Sequence, residues 1–392
     1  MDERLPALAL GVGITVVCSL PVFLAGAMAV QVADDLQFGT VGIGAAVSAF
    51  FGAVALSSVY LGRLTDRIGA TVSLRVAAVV SAMSCLGIAA VTVNWVSLAG
   101  WLILAGIGQA LAQPAANRML VHRVGLARLG TAFGIKQAAP PTASILAGLS
   151  VPALALTVGW RWAYVLSAVG AILLAGLLGR TSPTPRGVTN RTLPTSPRKP
   201  LRGRAALVIL GTGFAIAFAT SSVVLAFYVE AAVRAGASSG TAGSLFALGG
   251  VSVVVTRLAA GVACDRLRIT PLHLSAALLV IGAVGIALLA TNEQVPMAFG
   301  AVISLTGTWG FPGVFWFALV SAYPESPGRI TGAIAPAATG GLVGPVGFGA
   351  IASTFGYPPA WRLAAVLALL AAIAFVIGAQ RLTDLGAEGG PP

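Results

Sequence analysis

Twelve long apolar runs, separated by short polar punctuation, organise this chain. They cover roughly residues 7–30, 40–61, 71–92, 97–120, 128–156, 162–180, 205–229, 240–262, 271–291, 295–319, 329–355 and 360–380. An apolar run of ~20 residues crosses a bilayer as a helix whose backbone groups satisfy one another. Each run therefore predicts one transmembrane helix. Several are longer than a crossing needs, which predicts tilted or interrupted helices. Pro140-Pro141 in the fifth span, Pro312-Gly313 in the tenth, and Pro336 and Gly344-Pro345 in the eleventh mark the expected breaks.

Composition agrees. Of 392 residues, 57% are hydrophobic and only 9% charged, too few charges to cover a soluble protein of this size. The 49 glycines suit membrane helices whose backbones approach closely. A net charge of +12 would raise nucleic acid as a partner in a soluble domain, but here the basic residues sit in short segments between apolar runs. With both termini inside, 19 of the 23 Lys and Arg fall in cytoplasmic segments and three (Arg161, Arg234, Arg362) outside, with Lys136 within a span. The excess predicts a multi-pass protein of the cell inner (plasma) membrane with both ends cytoplasmic. The start Met1-Asp2-Glu3-Arg4 lacks the basic region of a signal peptide, so the first span is expected to be retained. Cys18, Cys85 and Cys264 lie far apart, and His122 and His273 lack ligand-spaced companions. No phosphate-binding loop is present. Neither cofactor nor metal is expected.

The pattern repeats. Residues 181–204 form a Pro/Ser/Thr-rich basic segment without acids, read as a cytoplasmic linker between six-span bundles at 1–180 and 205–392. Gly62, Asp66, Arg67 and Gly69 form a charged stretch at the end of span two, read as a loop. Gly261, Asp265 and Arg266 repeat its spacing 199 positions later without the closing Gly. Arg128 and Arg329, and Trp160-Arg161 and Trp361-Arg362, recur at an offset of 201. Two halves with the same in–out sense are parallel repeats.

The spacing Gly-x-x-x-Asp-Arg-x-Gly resembles the signature loop of the major facilitator superfamily of secondary transporters. It departs in having Ala70 and Thr71 where basic residues usually follow. The resemblance implies an all-α polytopic fold of twelve transmembrane helices in two parallel six-helix repeats. It also implies transport of a small molecule by alternating access, with the charged stretches as gating elements at helix ends. The run Gly134-Ile135-Lys136-Gln137 resembles bacterial carriers of cyanate and related anions. Multidrug efflux by proton antiport is the alternative within the superfamily. The rival class, a polytopic membrane enzyme, needs convergent acids, bases or metal ligands that the short loops do not offer.

The family implies a central cavity lined by spans one, four, seven and ten. Lys136 is the ionisable side chain read as lying well inside a span, where a cation costs ~2.5–3.5 kcal/mol. It is read either as a counter-charge for an anionic substrate or as a Lys snorkelling to the inner interface. Gln109, Gln113 and Asn117 recur every four residues on one face of span four, as ligand contacts or as an interhelical seam. Counting at 1.5 Å per residue puts Gln113 and Lys136 ~10–12 Å above the inner surface, at one depth beside Gln137. Trp309 falls near mid-depth in span ten, too deep for an interfacial belt. No Asp or Glu lies mid-span, with Asp34, Asp35, Glu230 and Glu293 assigned to outer loops, so the residues do not establish proton coupling. A small, anionic solute, a lipid bilayer and a monomeric chain complete the expectation.

Overall fold

A computed structural model describes residues 4–123, 136–180, 203–266, 270–323, 330 and 334–387. The described residues are helical, with no strand among them. The first half contains α1 (Arg4–Ala27), α2 (Ala29–Leu36), α3 (Thr40–Ile68), α4 (Ala70–Val91), α5 (Trp95–Arg123), α6 (Ala139–Ser150) and α7 (Arg161–Gly179). The second contains α8 (Arg204–Arg234), α9 (Ser239–Arg266), α10 (Pro271–Leu289), α11 (Gln294–Ala322), α12 (Gly340–Phe355) and α13 (Tyr357–Ala387). Among the described residues, eleven helices are long and apolar enough to cross a membrane. The shorter apolar helix Ala139–Ala155, which ends in a π turn at Val151–Ala155, takes the place of span five. Lys136 and Gln137 are helical just before it. Residues 181–202, Arg128 and Arg329 lie outside the described residues.

Two features of α1 to α3 differ from the sequence reading. The first span ends at Ala27, and Asp34 and Asp35 belong to a separate helix, α2, rather than to a loop. The stretch Gly62–Ile68 is likewise helical, forming the last two turns of α3. Apart from its flanking glycines the stretch contains no helix breaker, so polarity alone does not end the helix. The turn comes at Gly69, whose φ of +88° an L side chain rarely adopts.

Each half repeats one packing scheme. In the first, α1 packs on α5, α6 and α7, α3 on α5, and α4 on α5 and α7. In the second, α8 packs on α11, α12 and α13, α9 on α11, and α10 on α11 and α13. The correspondence is helix for helix. α4, α7, α10 and α13 carry exposed apolar faces, among them Val76, Val79 and Met83, and Leu166, Leu173 and Ile373. A face this continuous and apolar is solvated by lipid.

Among the described residues, the most extensive contacts between the halves are α3 with α12, α6 with α9, and α1 with α8. Glycine lets them close. A Cβ on Gly26 would lie 2.2 Å from the Leu225 carbonyl oxygen, one on Gly44 2.5 Å from that of Pro345, and one on Gly148 2.5 Å from that of Gly243. Gly243 follows Gly44 by 199 positions, the offset that separates Gly261 from Gly62. The two seams are therefore symmetry mates.

Candidate site between the halves

Proline decides the local chemistry. A proline lacks an N–H, so it leaves unbonded the carbonyl four residues earlier in a helix. In apolar surroundings that carbonyl needs another donor. Pro21 frees the Val17 carbonyl, and Ser81 Oγ of α4 donates to it at 3.0 Å. Pro312 frees that of Thr308, and Ser221 Oγ of α8 donates to it at 2.6 Å. Pro141 frees that of Gln137, and here the donor is Arg257 of α9, in the opposite half.

Arg257 also donates through Nε and a terminal nitrogen to the Trp309 carbonyl, at 3.0 and 2.6 Å. Gln137 accepts on its side chain as well, from Lys136 Nζ at 3.4 Å. Lys136 Nζ further donates to Gln113 Oε1 of α5, and the residue is only 4% exposed. The depth matching of Lys136 and Gln113 is thus realised as a direct hydrogen bond. Lys136 is not, however, the lone ionisable group deep in a span. Arg257, counted from the sequence among the basic residues of the cytoplasmic segments, lies within α9, nine residues before its end. Both cations meet at Gln137. Among the described residues neither has an acidic partner, since the described ion pairs are Arg118–Asp66, Arg161–Asp35 and Arg234–Glu230.

Gln109 and Asn117 stand one turn to either side of Gln113, and neither amide oxygen accepts from Lys136. The Gln109 Oε1 and Asn117 Oδ1 atoms are buried without a hydrogen-bond partner among the described residues. Trp309 is fixed by its indole N–H, which donates to the Ser221 carbonyl at 2.9 Å. Its ring lies 5.4 Å from that of Phe23 and 6.2 Å from that of Phe218. Thr220, Ser221 and Ser222 bond carbonyls of their own helix, a packing role, although Ser221 also serves the Thr308 carbonyl.

At the far end, Asp66 accepts from Arg118 of α5 at 2.6 Å. Its partner is therefore a charge within its own half, rather than a helix dipole. Gly62 and Gly261 both have open space where a Cβ would stand, and the side chains of Asp265 and Arg266 lie outside the described residues. Arg67 is exposed.

At the opposite end, Glu230 is not in a loop. It lies in the last turn but one of α8 and is 5% exposed. Thr40 Oγ1, at the start of α3 in the other half, donates to it at 2.7 Å, and Arg234 donates at 3.0 Å. Glu230 sits one residue beyond the end predicted for its span, which is why it read as a loop acid.

The family model described as Major Facilitator Superfamily matches residues 11–339. The chain belongs to the major facilitator superfamily. It is a multi-pass membrane transport protein of that superfamily. Its fold is similar to a crystal structure of a bacterial homologue of the human lysosomal transporter Spinster, inward-facing and unoccupied. The TM-score is 0.77 at 14% identity, over 98% of each chain. The occupied form of that homologue gives 0.73 at 16%, over 99% of this chain and 97% of the other. A D-xylose–proton symporter gives 0.77 at 16%, over 95% of this chain and 97% of its own. At these identities the likeness concerns the fold alone. No curated protein matches the chain.

Proposed function

We propose that this superfamily member moves a small organic anion by alternating access, with Lys136 as the counter-charge. The observation that carries the reading is a Lys buried among Gln113 and Gln137, with no acid beside it among the described residues. An ammonium withdrawn from water is stabilised by a partner of opposite charge, and an arriving carboxylate supplies one. Gln113 and Gln137 accept from Lys136 when the site is empty, and their amide N–H groups can donate to a bound anion.

Among the described residues the halves, taken as bundles 1–180 and 205–392, touch at the end bearing α2 and leave open space at Gly62 and Gly261 at the other. With both termini cytoplasmic, as the basic bias argues, this is an inward-open arrangement. The motion would then close the cytoplasmic end and open the outer one around a fixed site.

Purified protein in liposomes, assayed for uptake of radiolabelled small carboxylates, tests the reading. Lys136→Ala should abolish uptake, and Lys136→Arg should retain part of it. Undiminished uptake by Lys136→Ala, or a native substrate that is neutral or cationic, contradicts it.

A further inference from the structure

The geometry points to a site for a doubly negative ligand, held by Lys136 from the first half and Arg257 from the second. The inference rests on the anion reading above and goes beyond it in assigning a second anchor and a ligand charge. Both cations contact the same residue, one on the side chain of Gln137 and the other on its main-chain carbonyl. Neither is neutralised by an acid among the described residues.

Donor counting gives the site its valence. A guanidinium has five N–H groups, and Arg257 spends three of them in its hydrogen bonds to Trp309 and Gln137. An ammonium has three, and Lys136 spends two on Gln113 and Gln137. Two N–H groups of Arg257 and one of Lys136 therefore have no partner among the described residues. Two adjacent positive charges repel each other in a medium of low dielectric. One negative charge would leave a surplus cation in the membrane, whereas two balance the pair. A dicarboxylate or a phosphate monoester meets that requirement.

The assignment also gives the ligand leverage on the halves. Arg257 holds the carbonyl that Pro141 leaves free, so it ties α9 to the broken start of span five. An anion that draws the guanidinium toward Lys136 competes for that tie. Neither charge is demanded by the repeat. The position matching Arg257 in the first half, 199 residues earlier, is Ser58, and the one matching Lys136 is near Ala337.

Thermal unfolding of the purified protein at constant ionic strength tests this. The probes are succinate, glycerol 3-phosphate, singly charged butyrate and neutral succinamide. At least one dianion should half-saturate the stabilisation at a concentration tenfold or more below that of butyrate, and succinamide should not stabilise. Succinate alone identifies a dicarboxylate site, and glycerol 3-phosphate alone a phosphate-ester site. Arg257→Gln should weaken dianion binding more than butyrate binding and so erase the preference for the second charge. Arg257→Lys should keep the preference with weaker affinity, and it remains informative if the Gln variant does not fold. Equal affinity for dianion and butyrate, or a preference unchanged in Arg257→Gln, overturns the two-cation site and leaves the anion reading standing. No stabilisation by any anion overturns both.

Discussion

The two ends of α3 are built differently. From Thr40 to Gly52 the helix is buried on nearly every side, with Val41 the exposed exception. Beyond Val54 it is open, with Leu56, Val59 and Tyr60 all more than half exposed. At Gly62 no atom of the opposite half stands within 4 Å of where a Cβ would be. Glycine shows the same contrast. Gly44 and Gly148 meet main chain of the other half, while Gly62 and Gly261 meet nothing within 4 Å. The closed end is sealed by backbone contact and by the Glu230–Thr40 hydrogen bond, and the open end carries the charged stretches. Small residues at the open end make sense as surfaces that pack only when that end closes.

The largest way to break the contrast is Gly44→Leu. Its Cβ would fall on the Pro345 carbonyl, and main chain cannot turn aside as a side chain can. Overpacking costs ~1–3 kcal/mol, occasionally more, so the closed end should open in most molecules. Cysteine labelling at that end, slow in the natural chain, should become fast. Gly62→Leu at the open end should leave the labelling unchanged, which separates the seams from a general loss of packing.

A smaller effect is expected of Glu230→Ala. A hydrogen bond to a charged group contributes ~1.5–3 kcal/mol, so its loss from the seam should raise the population open at that end roughly tenfold to a hundredfold. Glu230→Gln keeps an acceptor for Thr40 and should behave nearly as the natural chain. Equal labelling rates in Ala and Gln variants would remove this hydrogen bond from the seal. Smaller again is Asp66→Asn. The Asp66 side chain is 66% exposed, and such pairs contribute at most ~1 kcal/mol. Transport should fall by no more than about fivefold, and Arg118→Gln should mimic it.

The smallest effect concerns pH. The hydrogen bond from Arg161 holds the Asp35 carboxyl below its ordinary range, partly offset by desolvation. A depressed carboxyl contributes stability above its unfolded value of ~3.9 that is lost as pH falls through the folded value. The unfolding midpoint should therefore drop slightly less below pH 4 in Asp35→Asn than in the natural chain.

Much of the fold was legible because lipid imposes a coarse grammar: apolar length gives the spans, and recurring charges give the repeat. Counting residues from the membrane surface also brought Lys136 to Gln113. Arg257 was missed because it stands close enough to the span's predicted end to count as an interfacial charge. Two signals pointed to it. Its repeat mate is Ser58, so no symmetry requires it, and Pro141 leaves a buried carbonyl that a donor must fill. Glu230 was missed for a boundary reason, since polarity at Glu230 and Arg234 does not end α8. Which residues face across the seam depends on packing between halves some 200 positions apart, and local pattern does not encode it.

The most direct test measures both ends at once. Spin labels at Tyr60 and Val262 report the charged end, and labels at Val41 and Thr241 the opposite one, all four positions being exposed. The ligand-free protein should give a long distance for the first pair and a short one for the second. Gly44→Leu should reverse both. If one pair lengthens while the other stays fixed, or if neither responds, the ends do not alternate around Lys136 and the account fails.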